Sequence, residues 1–233
     1  MSRRKASKAR DPDSRKRVIL FGTGGFAEVA HVYLTEDSPY RVAGFTVDRP
    51  YATSKRFRGL PLVPFEEVKR TFPPDKFRML IAVAYGRVNQ LRAEKYSAAK
   101  AMGYDFITYR SSHSVCMGEV QVGENCFIFE NQTIQPFVRI GDDVVIWSGN
   151  HLGHHSRIGD HCFIASHVVI SGNVEIEPYC FLGINATIRD GVKVGRGSVI
   201  GAGALVTKDV EPGLVLSGPP AKLWGRASDL KRI

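Results

Sequence analysis

The chain has 233 residues, of which 43% are hydrophobic and 24% charged, with a formal net charge of +9. This is the composition of an ordinary soluble globular protein, long enough for one large domain or two small ones. No apolar stretch has the length of a membrane span, and the run "VILF" is too short for the apolar part of a signal peptide. We therefore expect a cytoplasmic protein.

Most of the positive charge lies at the amino terminus. Residues 1–17 hold eight Lys or Arg against two Asp, which is +6 of the +9 and leaves only +3 for the other 216 residues. The body of the protein is close to neutral, so the charge does not indicate a nucleic-acid-binding surface. We expect residues 1–17 to be a disordered basic tail.

Strands and helices alternate over residues 18–110. The segment "RVILFGTGGFAEVAHVYL" predicts a strand, a glycine turn and a helix, and "YRVAGFTVD" a strand that ends at Asp48. "LPLVPFEEVKRTF" predicts a short strand and a helix, "RMLIAVAYG" a buried strand, "RVNQLRAEKYSAAKAMG" a helix that ends before Gly103, and "DFITYR" a last strand. This order predicts a small parallel α/β domain of Rossmann-like type.

The glycine turn of this domain matches the pattern G-x-G-x-x-A from Gly22 to Ala27. In that position, backbone N–H groups and the positive end of the helix can approach a phosphate. Asp48 ends the next strand, where an acid that contacts a ribose is expected. The domain is about half of a full dinucleotide-binding fold, so we expect a nucleotide-containing ligand; a nicotinamide cofactor or a purely structural turn are the alternatives.

A six-residue repeat dominates residues 111–211. Every sixth position from Cys116 is Val, Ile or Leu in fifteen of sixteen cases: Cys116, Val122, Ile128, Ile134, Ile140, Ile146, Leu152, Ile158, Ile164, Ile170, Ile176, Leu182, Ile188, Val194, Ile200 and Val206. A period of six fits neither a helix nor simple strand alternation, and it is typical of a parallel β-helix in which each hexad gives one short strand and one corner. Sixteen hexads predict about five triangular coils.

A second series of small residues lies four positions after each aliphatic one, and it includes Cys126, Cys162 and Cys180. We expect these cysteines to be buried, reduced packing residues. Residues 212–233 abandon the repeat, and we expect them to cap the open end of the β-helix.

Histidines are concentrated in the stretch "SGNHLGHHSRIGDHC" and at His167. His155, His161 and His167 occupy the same slot of three consecutive hexads, so a triangular coil places them at three different corners. They cannot bind one metal ion within a chain, and no pair has the spacing of a known zinc motif. We therefore expect no metal requirement; a zinc site across a subunit boundary is the alternative.

The stretches "GTGGF", "IAVAYGRVNQLR", "HLGHHSRIGDHCFIASHVVISGNVEIEPYCFLGINATIRDGVKVGRGSVIGAGALVTKDV" and "GPPAK" resemble the nucleotide-sugar N-acetyltransferases of the left-handed β-helix class. That group includes the bacillosamine-pathway, GDP-perosamine and dTDP-4-amino-sugar N-acetyltransferases. The resemblance extends over nearly all of residues 18–226. It implies a homotrimer with active sites between subunits, acetyl-CoA in the groove between neighbouring columns, and a role in bacterial surface-glycan (O-antigen, lipopolysaccharide) assembly.

The resemblance also implies roles for individual residues. The nucleotide of the amino sugar would lie against Gly24, Gly25, Phe26 and Asp48. The catalytic histidine of the family's I-x-H-[ED] segment falls on His154, and the acid that usually follows it is replaced here by His155. The remaining implied contacts, with the pantetheine and a phosphate of acetyl-CoA, fall on Gly172, Gly183, Ala202 and Lys222.

The chemistry of the histidine agrees with this resemblance. A sugar amine must lose a proton to attack a thioester, and imidazole titrates close to neutral pH. No Cys or Ser lies in an activated nucleophile motif, so we expect direct attack on acetyl-CoA without an acyl-enzyme. We therefore expect an N-acetyltransferase for a nucleotide-linked 4-amino-4,6-dideoxy sugar. The alternatives are an O-acetyltransferase on the same scaffold, a redox protein that binds a nicotinamide at "GTGGFA", and a non-enzymatic scaffold.

Overall fold

The computed structural model describes residues 16–230. The basic tail that we expect over residues 1–17 thus lies almost wholly outside the described residues. The described chain consists of an amino-terminal α/β unit, a column of short parallel strands and a carboxy-terminal hairpin.

The amino-terminal unit is built on a five-stranded sheet. Its strands are β1 (Arg17–Phe21), β2 (Arg41–Val47), β3 (Arg56–Phe57), β4 (Leu60–Pro64) and β5 (Arg78–Ile81), and its helices are α1 (Gly25–Glu36), α2 (Val68–Thr71) and α3 (Gln90–Ala101). The strand order is β3-β4-β2-β1-β5, in which only β3 runs antiparallel to its neighbour. The predicted alternation of strands and helices is confirmed, including the end of α3 before Gly103.

The central strand β1 is buried on both faces of this sheet. Val18 and Leu20 pack in the same apolar cluster as α1, whereas Ile19 and Phe21 pack in the cluster formed with α2 and α3. A strand that is covered on both sides needs apolar residues at successive positions. This is why "VILF" is a continuous apolar run.

The last strand expected in this unit, "DFITYR", is divided between the two parts of the protein. Phe106 forms a single bridge with Met79 of β5. Residues Tyr109–Arg110 form β6, which pairs with Phe127–Ile128 of the column. The prediction of one strand in the α/β sheet was therefore wrong, because the chain crosses to the column after Thr108.

The column consists of two-residue strands, one per hexad. They are β7 (Val115–Cys116), β8 (Gln121–Val122), β9 (Phe127–Ile128), β10 (Thr133–Ile134), β11 (Arg139–Ile140), β12 (Val145–Ile146), β13 (His151–Leu152), β14 (Arg157–Ile158), β15 (Phe163–Ile164), β16 (Val169–Ile170), β17 (Glu175–Ile176), β18 (Phe181–Leu182), β19 (Thr187–Ile188), β20 (Lys193–Val194), β21 (Val199–Ile200) and β22 (Leu205–Val206). Each pairs in parallel with the strand 18 residues away, as Phe163 does with Phe181. Three hexads therefore make one coil, and the sixteen strands fit the predicted left-handed β-helix of about five coils.

The three sheets of the column are named here after one strand each. The β13 face holds β7, β10, β13, β16, β19 and β22; the β14 face holds β8, β11, β14, β17 and β20; the β15 face holds β6, β9, β12, β15, β18 and β21. Between them lie three edges, which we call the His154 edge (β13 to β14 face), the His161 edge (β14 to β15 face) and the His167 edge (β15 to β13 face).

The aliphatic hexad residues fill the interior of the column, as predicted. Cys126, Cys162 and Cys180 are fully buried among them with no disulfide. Each thiol lies within hydrogen-bond distance of a backbone carbonyl; for Cys162 this is the carbonyl of Glu177, at 3.2 Å. The expectation of buried, reduced packing cysteines is confirmed for these three residues.

Every corner turns through a residue in the left-handed backbone region, with φ between 54° and 80° from Asn125 to Gly203. These residues recur every six positions: Asn125, Asn131, Phe137, Asp143, Gly149, His155, His161, His167, Asn173, Tyr179, Asn185, Gly191, Gly197 and Gly203. Asn, Asp, His and Gly tolerate this conformation better than most residues. The shared slot of His155, His161 and His167 therefore has a backbone reason, and the three lie at three different edges, as expected.

The outward-facing residues differ from face to face with a period of 18. On the β15 face they are aromatic or aliphatic and covered, as Phe127, Val145 and Phe163 are. On the β14 face they are polar or charged: Gln121, Arg139, Arg157, Glu175 and Lys193. The amino-terminal unit packs on the β15 face, where Tyr85 lies edge-on to Phe163 and Phe181 at centroid distances of 4.8 and 5.0 Å.

A buried arginine joins the two parts at the His161 edge. Arg92 of α3 and Asp143 are both fully buried, and Nε of Arg92 lies 3.2 Å from Oδ1 of Asp143. The same guanidinium donates to the backbone carbonyls of Ala84, Asp143, His161 and Cys162. Its donors are thus satisfied inside the interface, which is the condition for a buried charge to be tolerated.

The carboxy-terminal segment continues the column before it leaves it. Strand β23 (Leu214–Ser217) pairs in parallel with β21, and β24 (Lys222–Arg226) folds back antiparallel on β23. Leu214, Leu216 and Ala221 pack against the last interior residues of the column. The hairpin therefore lies at the end that we expected residues 212–233 to cap, and its first strand belongs to the β15 face.

We expect Arg92→Met to lower the free energy of unfolding by about 3 kcal/mol, because Asp143 would remain buried without its cation. Chemical unfolding at one fixed protein concentration measures this change. The control is Arg87→Met, which removes an exposed ion pair with Glu94 from the same segment and should have little effect. Equal losses in the two variants would contradict the role given to the buried pair.

Candidate active site

His154 lies at an exposed turn of the His154 edge, held by the coils on both sides. Its backbone N–H donates to Oε1 of Gln135 at 2.9 Å, and its carbonyl accepts the N–H of Asn173 at 2.9 Å. The side chain itself is exposed. The fold thus fixes the backbone of this residue and leaves its imidazole at the surface.

His155 contacts the imidazole of His154 directly. The two Nδ1 atoms are 3.1 Å apart, which is a hydrogen-bond distance for one shared proton. The ring of His155 lies on Phe137 of the preceding coil, with a centroid distance of 4.7 Å. The left-handed backbone of His155 (φ 60°) places its ring beside that of His154. The two predicted catalytic residues are therefore brought together as a pair.

Gly172 makes room for the ring of His154. A Cβ atom at Gly172 would lie 2.7 Å from Cε1 and Nε2 of His154 and 2.8 Å from Oδ1 of Asp190. These separations are too short for any real Cβ, so the glycine is required by the imidazole next to it. We expected Gly172 to contact acetyl-CoA; the structure adds this packing reason and brings Asp190 close to His154, which the sequence analysis did not include.

The glycine loop before α1 is open to solvent. Gly24 is the N-cap of α1, Gly25 is its first residue, and nothing lies within 4 Å of a Cβ built on either. Phe26 is different, because its ring is buried against Phe127 and Trp147 at centroid distances of 5.5 and 6.1 Å. Of the three residues, the two glycines leave space for a ligand and Phe26 anchors the loop on the β15 face.

Asp48 follows the end of β2, on the same edge of the sheet as the glycine loop. Its Oδ1 lies 2.6 Å from Nζ of Lys95, which comes from α3. The ammonium group also lies 5.6 Å from the ring centre of Phe21. The sequence analysis missed Lys95, since nothing in its spacing from Asp48 indicates the contact.

Three further predicted residues lie away from His154. Gly183 and Ala202 are on successive coils of the His167 edge, where a Cβ at Gly183 would lie 2.6 Å from the N atom of Ala202. Lys222 is the exposed first residue of β24. One chain therefore carries the predicted acetyl-CoA residues on two different edges, which flank the β13 face.

The glycine loop and His154 are also separated within one chain. The amino-terminal unit covers the β15 face, and in a three-sided column the His154 edge lies opposite that face. Phe26 reaches Phe129 and Trp147, which begin two turns of the His167 edge. A single chain therefore does not bring the predicted nucleotide-binding loop to the predicted base.

The other histidines and the cysteines have structural partners or surroundings. Nδ1 of His161 lies 2.8 Å from Oδ2 of Asp143, inside the interface with α3. Burial raises the pKa of Cys126 to about 12 and raises that of Cys162 well above its usual value. A buried neutral thiol is a poor nucleophile. Within residues 16–230, no three His, Cys, Asp or Glu side chains are arranged to hold a metal ion.

The largest described cavity, of about 1110 Å³, contains none of the predicted site residues. It lies between the segment before α3, Tyr179 and Arg196, and the carboxy-terminal residues Ala227 to Leu230. The guanidinium of Arg196 stacks 4.5 Å from the ring centre of Tyr179, and Arg87 pairs with Glu94. Its charged side chains are thus engaged with one another.

Comparison with known proteins supports the fold and the resemblance. Residues 137–172 and 173–208 match the family described as bacterial transferase hexapeptide (six repeats). The structure of PerB from Caulobacter crescentus in complex with CoA and GDP-perosamine is similar at 25% identity, with a TM-score of 0.80, over 89% of this chain and 97% of that one. Curated protein sequences gave no match.

Two further structures are similar in fold. The acetyltransferase domain of PglB from Neisseria gonorrhoeae, in complex with acetyl coenzyme A, has 21% identity and a TM-score of 0.79, over 89% of this chain and 98% of that one. WeeI from Acinetobacter baumannii has 22% identity and a TM-score of 0.60, over 88% and 98%. The resemblance to hexapeptide-repeat nucleotide-sugar acetyltransferases is thus confirmed by the family model and by the fold.

The described part of the chain was also inspected for membrane-spanning helices. Between residues 16 and 230, no helix combines the length and the apolar character needed to cross a bilayer.

We expect Gly172→Ala to displace the imidazole of His154, because the added methyl group would overlap Cε1 and Nε2. The side-chain NMR signals of His154 and His155 should shift, and the midpoint of thermal unfolding should fall. Gly225→Ala is the matched control, since nothing lies within 4 Å of a Cβ at that position. Unchanged histidine signals in Gly172→Ala would contradict the packing described for Gly172.

Proposed function

We propose that the chain is an acetyl-CoA-dependent N-acetyltransferase that acts on the 4-amino group of a nucleotide-linked 4-amino-4,6-dideoxy sugar. The observation that carries this proposal is the exposed imidazole of His154, whose Nδ1 is engaged by His155 and whose backbone is fixed by two coils. Support comes from the similarity to a structure described as a complex with CoA and GDP-perosamine.

The reaction needs a base at the sugar amine. In the proposed mechanism the amine nitrogen attacks the thioester carbonyl, Nε2 of His154 takes a proton from that nitrogen, and the tetrahedral adduct collapses to the amide. The CoA thiolate leaves and receives a proton, so the products are the N-acetyl sugar and free CoA. Direct attack is favoured over an acyl-enzyme because the thiols of Cys126 and Cys162 are buried and their pKa values are raised.

The amino-terminal unit is proposed to be a Rossmann-like nucleotide-binding domain. Gly24 and Gly25 leave open space at the amino-terminal end of α1, a twelve-residue helix, where backbone N–H groups favour an anion. Asp48 lies at the carboxyl end of β2, which is where ligands of parallel α/β sheets bind. Its pairing with Lys95 would place one acid and one base beside the nucleotide.

The proposed assembly is a homotrimer with the β13 face turned towards its axis. This face exposes Val115, Val169 and Leu205, which are 55%, 38% and 37% exposed. The edges that flank it expose further large apolar residues: Met117, Phe137 and Ile184. The β14 face presents charged residues instead. Burying the apolar face against sister chains would remove this surface from water.

Such an assembly would join the two halves of the site. The two edges that flank an inward-facing β13 face meet the opposite edges of the neighbouring chains around a threefold axis. His154 and Gly172 of one chain would then face Gly183, Ala202 and the glycine loop of its neighbour. We propose that acetyl-CoA lies in this groove, with Lys222 near one of its phosphates, and that the enzyme serves surface-glycan assembly in the bacterial cytoplasm.

We expect His154→Ala to lower kcat by about a hundredfold or more, because general-base catalysis is lost. The nucleotide sugar should still bind, because the predicted nucleotide contacts lie on the amino-terminal unit. Release of the CoA thiol measures turnover with GDP-perosamine and with dTDP- and UDP-linked 4-amino sugars, and calorimetry measures binding. His113→Ala, at an exposed histidine, is the control.

Two outcomes would contradict the proposal. Turnover of His154→Ala at the wild-type rate would place the base elsewhere. Faster turnover of the matching 4-hydroxy sugars than of the amino sugars would identify an O-acetyltransferase instead.

A further inference from the structure

The contact between His154 and His155 defines how the proton is arranged before the reaction. Each neutral imidazole carries one proton on one of its two nitrogens. The two Nδ1 atoms, 3.1 Å apart, have room for one proton between them. One ring must therefore donate and the other must accept.

Only one of the two arrangements leaves His154 able to act as a base. If His155 donated, the proton of neutral His154 would be on Nε2, and that atom would have no free lone pair. If His154 donates through Nδ1, its Nε2 is free to accept a proton. We infer that His155 is a neutral hydrogen-bond acceptor that holds His154 in the Nδ1–H form, and so a positioning residue rather than a second base. This inference rests on the proposed function.

The surroundings of His155 favour this role. Its ring lies on Phe137 and its backbone is held at a left-handed corner by a hydrogen bond from its N–H to the carbonyl of Pro136. The ring therefore stays beside His154 with its Nδ1 towards it. Residue 155 could not be exchanged freely at this corner, since most side chains disfavour a φ of 60°.

The pair also remains compatible with catalysis after proton transfer. When Nε2 of His154 takes the proton of the amine, the Nδ1–H bond to His155 becomes charge-assisted and stronger. Protonation of His155 itself would set two N–H groups against each other and break the bond. Of the coils that pack against His154, the preceding one contributes Gln135 and Phe137, which do not titrate, and the following ones contribute Gly172 and then Asp190.

A carboxylate in place of His155 would act differently on the rate profile. A negative acceptor stabilises the imidazolium form of His154 more than a neutral one does, so more acid-side activity would be lost. The acid limb of kcat/KM should therefore move to higher pH in His155→Glu. A purely structural role of His155 would not produce this shift.

The test uses the full-length protein with acetyl-CoA and GDP-perosamine, or the best amino sugar of the panel above. His155→Gly keeps the left-handed corner and removes the acceptor, and kcat should fall about tenfold or more with both KM values within about twofold of wild type. Asn131→Gly, the same backbone change at an exposed corner of the His167 edge, should retain full activity. Thermal unfolding verifies that each variant is folded.

A second measurement does not depend on turnover. Long-range ¹H–¹⁵N spectra of the histidine rings without substrates should show His154 protonated at Nδ1 and His155 at Nε2, and the signals of His154 should change in His155→Gly. The opposite tautomers, or wild-type kcat and pH profile in both His155 variants, would overturn the inference. Loss of the predicted substrate activity with the predicted tautomers would overturn the proposed function alone.

Discussion

The six-residue register of the column is the constraint on which the rest of the structure depends. Each hexad needs an aliphatic residue for the interior and a left-handed residue at the corner, and both requirements recur from Asn125 to Gly203. Burial of the interior residues drives the stacking, and the corner residues let the chain turn every six positions. Because three hexads close one coil, any two residues 18 apart lie on the same face. This rule places every predicted site residue of residues 111–211.

The same rule separates the functional elements. Aromatic residues recur on the β15 face and bind the amino-terminal unit, so the glycine loop lies on that side of the column. His154, His155 and Gly172 lie on the opposite edge, and Gly183 and Ala202 lie on the His167 edge. The buried pair of Arg92 and Asp143 holds the two parts in this arrangement. A catalytic site built from these residues must therefore be assembled from more than one chain.

Much of this organisation is readable from the sequence, and some is not. The hexads predict the column, its interior and the buried cysteines, because these depend on local periodicity. The corner series and the 18-residue series of aromatic residues are also periodic, but the analysis did not use them, and the strand over residues 105–110 was assigned to the wrong sheet. The pairing of Asp48 with Lys95, the burial of Phe26 and the contact between His154 and His155 depend on tertiary packing or on ring orientation, which spacing does not determine.

Complementation between chains tests the shared site most directly. One variant is His154→Ala; the other is Gly25→Glu, whose carboxylate is compatible with a helix amino terminus but repels a phosphate, and whose Cβ meets no atom within 4 Å. Each variant alone should be inactive, and mixed oligomers purified through two different tags should regain turnover, because an intact His154 edge then meets an intact glycine loop. Inactive mixed oligomers, formed from variants that are folded and associate normally, would contradict a site shared between chains.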